Sequence, residues 1–250
     1  MRHMTLRDVS FSYPRSATPA VDGVTASFAG RTVAVLGPNG AGKTTLFRLL
    51  TTVGTPAAGS IQIGELDLAR SRDRERLRRE IGVMPQHLPM MGGYRCADFL
   101  RYVCWLRRVP SSMTERSVSD ALDVVGLVGV RDQKIKTLSG GMRQRLGLAQ
   151  VFVASPRLVV LDEPTVGLDP AQRVEFRSYL STLRERCTIV FATHLVDDVA
   201  ALAEEVLILS RGRCVFAGRL DAFAEGQNGR PVSGADVESA FLAVVPREGA

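Results

Sequence analysis

Eight consecutive residues, Gly37-Pro38-Asn39-Gly40-Ala41-Gly42-Lys43-Thr44, constrain this chain more than any other stretch. They fit the pattern G-x-x-x-x-G-K-[ST] in full. A continuous apolar run, Thr32–Leu36, stops directly before them, as a buried parallel strand does. Residues 45–51 follow as a helix-forming stretch that opens on Thr45. Strand, glycine-rich turn and helix in that order bring backbone N–H groups around phosphate oxygens. The positive end of the helix points at the same place. Lys43 is then placed for the β- and γ-phosphates, and Thr44 for a Mg²⁺ ion.

Residues 158–161 make a second apolar strand, and Asp162-Glu163 follow it. In open α/β sheets, ligands bind at the carboxyl ends of the strands. Two adjacent acids in a loop are usually solvated charge. After a buried strand, in a chain with a phosphate loop, they read differently: Asp162 as a Mg²⁺ contact and Glu163 as the base that polarises an attacking water.

A third stretch, Leu138-Ser139-Gly140-Gly141-Met142-Arg143-Gln144, places two glycines beside a hydroxyl at the start of a helical pattern over residues 141–154. Glycine costs a helix about 1 kcal/mol against alanine, so the pair suits backbone meeting an anion. Ser139 also suits a plain helix N-cap.

The rest of the chain is expected to supply an α/β domain. Leu6, Val9, Phe11 and Tyr13 suggest an early strand. Ile61 and Ile63 suggest a half-buried one, residues 67–80 a charged helix, and Ile81–Met84 a strand ending at Pro85. Residues 87–155 change character, with helices expected over 98–108, from Pro110, over 120–127 and over 141–154. A strand at Thr188–Ala192, a helix over 171–186 and a hairpin around Arg211-Gly212-Arg213 return the chain to α/β. Residues 225–234 read as a linker, and 236–245 as a short helix. The expected division is residues 1–86 and 156–224 as the catalytic core, 87–155 as a helical insert and 225–250 as linker and C-terminal helix, all within one domain.

Composition excludes several classes. At 45% hydrophobic and 23% charged the chain is ordinary for a globular protein. Apolar runs such as residues 102–106 and 241–245 fall far short of the roughly 20 needed to span a bilayer. The opening residues lack the apolar core of a signal peptide, so a cytosolic location is expected. Cys96, Cys104, Cys187 and Cys214 have no metal-ligand spacing and read as small buried hydrophobes. The net charge of +6 is a modest excess. The helix rich in arginine between Arg70 and Arg79 is interleaved with acids and reads as a solvated face. Phe99, Tyr102 and Trp105 recur every three residues and read as core.

Taken in order, the phosphate loop, the "LSGGMRQ" run and the "LDEP" strand end resemble the nucleotide-binding domain of ATP-binding cassette (ABC) transporters over nearly the whole chain. The resemblance implies a phosphate-loop core with a mixed sheet, an N-terminal antiparallel β part and an inserted α-helical subdomain. It implies ATP and Mg²⁺ as cofactors and ATP hydrolysis as the activity. In that family two cassettes pair head to tail. Ser139, Gly140 and Gly141 would then cap the γ-phosphate of an ATP held by the partner, here expected to be an identical copy. Tyr13 resembles the aromatic that stacks on adenine, and Gln86 the glutamine that senses Mg²⁺ and the attacking water. Asp169 resembles the aspartate that couples the two sites, and is also placed to cap the helix that Pro170 opens. His194 resembles the histidine at the γ-phosphate. A separate transmembrane permease is implied, docked beside residues 87–110 at the cytoplasmic face of the membrane. The wording of the signature is most similar to exporter cassettes. An importer cassette, or a soluble cassette acting on nucleic acid or ribosomes, is the alternative; no nucleic acid is expected.

Overall fold

The computed structural model describes residues 3–86, 90–224 and 231–245. Two sheets form. Strands β1 (Met4–Phe11), β2 (Val21–Phe28), β4 (Ala58–Ile63) and β5 (Leu66–Asp67) make an antiparallel sheet in the order β2-β1-β4-β5. The second sheet is built from β3 (Thr32–Leu36), β6 (Ile81–Met84), β7 (Leu158–Asp162), β8 (Thr188–Ala192), β9 (Glu205–Ser210) and β10 (Arg213–Arg219). Its order is β10-β9-β3-β8-β7-β6, parallel except for the β9–β10 hairpin.

The six-stranded sheet is a middle layer, and its side-chain alternation shows why its strands read as unbroken apolar runs. Ala34, Leu36, Val159, Leu161, Ile189 and Phe191 face one core, with the helices. Val33, Val35, Leu158, Val160, Val190 and Ala192 face the other, with the antiparallel sheet. A strand covered on both faces has no polar side to alternate with.

The helices are α1 (Lys43–Leu50), α2 (Ser71–Glu80), α3 (Cys96–Leu106), α4 (Ser111–Val124), α5 (Gly140–Phe152), α6 (Pro170–Leu183), α7 (Val196–Leu202), α8 (Leu220–Phe223) and α9 (Gly234–Val244). Of these, α1 and Leu77 of α2 pack with the antiparallel sheet, whereas α3 to α6 pack on the opposite face.

Several sequence expectations change. The charged helix begins at Ser71, not 67. Asp67 belongs to β5, its side chain accepts from the Ala69 N–H, and Arg70 N–H closes a turn on its carbonyl. Residues 120–127 are not a separate helix: α4 runs unbroken to Val124, and Gly126, at φ 64°, ends it. The alternation around Tyr13 fails because β1 stops at Phe11. Strand β2 was not expected at all. Residues 225–230 of the expected linker lie outside the described residues. Gly234, placed at its end, instead opens α9 behind a capping box made by Ser233 and Asp236.

Cys96, Cys104 and Cys187 are buried and Cys214 half-buried, as expected of small hydrophobes; burial pushes the Cys187 thiol up to about 12. In α2, Arg76–Glu80 and Arg79–Glu75 form exposed i,i+4 pairs, the solvated face the interleaved charges suggested.

Candidate nucleotide site

The carboxyl ends of β3, β8, β7 and β6 lie side by side in that order, and each delivers one part of the site. From β3 comes the glycine-rich loop. Gly42 sits at φ 103°, and a Cβ there would stand 2.4 Å from the Ala20 carbonyl oxygen, so only glycine fits. Gly40, at φ 77°, opens onto free space. The Lys43 ammonium donates to the carbonyls of Gly37 (2.6 Å) and Pro38 (3.0 Å), which folds the lysine back over its own loop. Burial pushes the Lys43 pKa down, against the opposing pull of Glu163 and Asp162.

From β7 come the two carboxylates. Thr44 Oγ1 donates to Asp162 Oδ2 at 3.5 Å, a long contact that leaves room between two oxygens. Burial is the main cause that raises the Asp162 pKa. Glu163 adds to it, and Lys43 and Thr44 oppose it. An oxygen pair of this kind suits Mg²⁺, which keeps several waters and takes its other ligands from phosphate.

Glu163 adopts φ 51°, a left-handed conformation uncommon outside glycine, asparagine and aspartate. Its N–H donates to the Ala192 carbonyl at the end of β8 (2.9 Å), and its Oε2 meets His194 Nδ1 at 3.0 Å. The Glu163 side chain is 11% exposed and that of His194 62%. The pair therefore has one member shielded and one in reach of solvent.

Gln86 follows β6 and lines the same cleft, an opening of about 350 Å³ bounded also by Asn39, Ala41, Lys43, Thr44 and Tyr13. Tyr13 stands at its rim. The phenol shares a hydrogen bond with Thr45 Oγ1 (3.1 Å) and the ring meets Phe11 edge-on at 5.1 Å.

Ser139, Gly140, Gly141 and Asp169 do not reach this cleft. Ser139 caps α5, its Oγ accepting from Met142 N–H at 3.2 Å. Gly141 packs so closely on α6 that a Cβ would stand 2.6 Å from the Gln172 amide, while Gly140 faces open space. Gly140 borders a separate concavity with Arg143, Lys136 and Gly167. Asp169 caps α6, accepting from Gln172 N–H at 2.8 Å. Both capping roles considered for Ser139 and Asp169 from sequence are therefore present.

Sequence reasoning missed Ala20, which lines the cleft from the loop before β2 and carries no local signal. It also missed Gln144, whose amide donates to the Pro164 carbonyl (2.6 Å) and ties α5 to the loop after Glu163.

The aromatic triplet divides. Phe99 is buried, Tyr102 partly so, and Trp105 is 72% exposed, stacked on Tyr102 at 6.0 Å. Six residues on, a helix has turned about 240° past a full turn, so Trp105 cannot share the face of Phe99. The core expectation fails there.

Comparison with known proteins agrees with this geometry. The family model described as ABC transporter matches residues 24–166. An uncharacterized ABC transporter ATP-binding protein of Bacillus subtilis, YxlF, is 33% identical over 196 residues, 78% of this chain and 64% of that protein. The sulfate/thiosulfate import ATP-binding protein CysA 1 of Agrobacterium fabrum is 34% identical over 238 residues, 92% of this chain and 68% of that protein. The chain thus spans about two thirds of the length of these relatives. A dimeric ATP-binding cassette solved in a post-hydrolysis state with ADP and Pi has the same fold, with a TM-score of 0.76 at 21% identity over 87% of this chain and 98% of that one. With the family model matched over more than half of its length, the chain belongs to the ABC transporter family, as an ATP-binding cassette.

Proposed function

We propose that this chain binds and hydrolyses Mg²⁺–ATP and energises transport through a separate membrane permease. One observation carries the reading: four adjacent parallel strands end in one cleft that gathers a phosphate loop, an oxygen pair suited to Mg²⁺ and a shielded carboxylate bonded to a histidine. Lys43 would exchange its loop carbonyls for the β- and γ-phosphates. Thr44 and Asp162 would hold Mg²⁺, with Gln86 beside it. Glu163 would take a proton from the attacking water, and His194 would orient Glu163 and meet the γ-phosphate. Tyr13 would stack on adenine.

A second cassette completes the proposal. Ser139, Gly140 and Gly141 do not line their own cleft, so an anion they meet would come from a partner. ATP would join two head-to-tail copies, and loss of the γ-phosphate would favour opening. Export is the direction that the signature wording favours. Import is a second reading, favoured by the similarity to CysA 1, named an import protein.

Phosphate release from Mg²⁺–ATP by the purified chain tests the reading. Wild type is expected to turn over. Lys43→Ala is expected to lose ATP affinity, since the point charge on the phosphates is gone. Glu163→Gln is expected to bind ATP and to hydrolyse it about 10²–10⁴-fold more slowly, the usual cost of removing a general base. Turnover by Glu163→Gln at the wild-type rate would remove Glu163 from that role. Substrate uptake by inside-out vesicles containing chain and permease reads the direction: ATP-driven accumulation means export, and no accumulation with activity in right-side-out vesicles means import.

A further inference from the structure

The buried carboxylate of Asp198 lies outside the nucleotide cleft, yet three segments of the site meet on it. It is 1% exposed and sits in the first turn of α7, four residues after His194. One oxygen, Oδ2, accepts from the hydroxyl of Thr165, two residues after Glu163. The other, Oδ1, accepts from the Arg177 guanidinium of α6 at 2.6 Å, and α6 is the helix that Asp169 caps. Both oxygens are thus committed, and the Arg177 side chain is itself only 23% exposed. A buried carboxylate is tolerated when its charge is paired and its oxygens are hydrogen-bonded, and removing one partner is costly.

Geometry makes this node matter to the site. Glu163 stands at φ 51° on a loop that is also fastened by its own N–H on the Ala192 carbonyl and by the Gln144 amide on the Pro164 carbonyl. The Glu163 carboxylate lies 3.0 Å from His194, and neither of those two bonds reaches α7, the helix that follows His194. Thr165 supplies that link through its bond to Asp198. We infer that Asp198 is a positioning residue: with Thr165 and Arg177 it locks the Glu163 loop, the His194 segment and the α6 helix into one rigid unit. Asp198 touches no reacting atom. It acts through Glu163 and His194, and the phosphate loop is outside the unit. The inference rests on the hydrolytic reading above.

Loosening the lock should therefore affect turnover and spare nucleotide binding. Thr165→Val removes the hydroxyl at constant shape, and Thr165→Ser keeps it. A misplacement of catalytic groups by about 1 Å costs about 10²-fold, so Thr165→Val is expected to lower kcat by about 10–100-fold. KM and the affinity for a fluorescent ATP analogue should stay within about twofold, and Thr165→Ser should restore most of kcat. A merely structural role predicts the opposite pattern: a lower melting temperature with normal kcat for the folded protein. Normal kcat in Thr165→Val overturns the inference, and so does an equal loss in Thr165→Ser. Should Thr165→Val fail to fold, Arg177→Gln reads the same node from its more exposed side. There kcat should fall at unchanged KM, and an unchanged kcat again overturns it. Wild type is assayed in parallel: an inactive wild type sinks the hydrolytic reading, whereas an active wild type with an unaffected node sinks this inference alone.

Discussion

Asp162 stands where a carboxylate is costly. It is partly withdrawn from water and next to Glu163, and burial followed by that neighbour raises its pKa above the ordinary aspartate value. Between the ordinary and the raised value the folded chain binds more protons than the unfolded one, so stability falls as pH rises through that window. Above the raised value the whole penalty is present. Asp162→Asn is therefore expected to raise the melting temperature in metal-free, nucleotide-free buffer, by about 2–4 °C for each kcal/mol relieved in a chain of this size. The gain should shrink as the pH is lowered through the raised value, where Asp162 takes up its proton. Mg²⁺-dependent ATP turnover of the same variant should collapse, as expected where a site is built at the expense of stability. Calorimetry at two pH values and a phosphate-release assay check both halves. A lower melting temperature at neutral pH would show that Lys43 and Thr44 outweigh the burial. Single residues of this kind were legible in the sequence when a contiguous motif carried them, as with Lys43, Thr44, Asp162 and Glu163. The contact of Glu163 with His194 was not: it depends on β7 pairing with β8, and the two residues lie 31 positions apart.

Elements were legible where one physical rule governed them. The middle strands β3, β7 and β8 are apolar on both faces because both faces are covered. Strand β2 obeys no such simple rule. It buries Val21, Val24, Ala26 and Phe28, but Gly23 at φ 60° and register shifts against β1 break the alternation that would announce it. Helix α7 was missed because at seven residues it is too short to show a period. Close packing was also invisible from sequence. On β6, a Cβ at Gly82 would stand 2.5 Å from Val151 Cγ1 and 2.8 Å from the Val151 carbonyl oxygen, where α5 lies on the sheet. Gly82→Ala should thus push α5 outward, at a cost of about 1–3 kcal/mol from overpacking. Because α5 carries Ser139 at its start and holds Pro164 through Gln144, turnover should fall further than ATP affinity. Urea unfolding with parallel binding and turnover assays checks this, and a Gly82→Ala variant of wild-type stability would show that α5 can shift freely.

At the scale of the whole molecule, the proposed function needs two further bodies, and each gives a test. For the second cassette, a Lys43→Ala chain is mixed with a Ser139→Arg chain. Head-to-tail pairing puts both lesions on one composite site and leaves the other whole, so ATP binding should survive at one site of the mixed dimer. Complete loss at both sites would count against shared sites. For the permease, the docking surface we propose lies on α3. Charge reversal at Arg101 would be a poor probe, because its guanidinium already holds Asp98 (2.7 Å) and Glu115 (2.6 Å). Arg95 likewise spends its guanidinium on the Asp132 carbonyl. Trp105 is better suited. It is exposed, stacked on Tyr102, and followed by the exposed Leu106, while Tyr102 in turn meets Tyr94 at 6.4 Å. Docking surfaces of about 1,200–2,000 Å² concentrate their energy in a few aromatic and arginine anchors. No helix of the described residues is long and apolar enough to cross a membrane. Trp105→Ala is expected to lower co-purification with native membranes about tenfold or more, the loss a hot-spot residue gives at 1.4 kcal/mol or above. Basal ATPase activity should stay at the wild-type level, since Trp105 touches no part of the nucleotide cleft. Substitution of Arg76, which only pairs with Glu80 on the solvated face of α2, should change neither. Unchanged membrane recovery of Trp105→Ala would remove α3 as the docking face. A wild-type chain that sediments instead with ribosomes or nucleic acid, and is released by salt, would replace the permease with the soluble alternative.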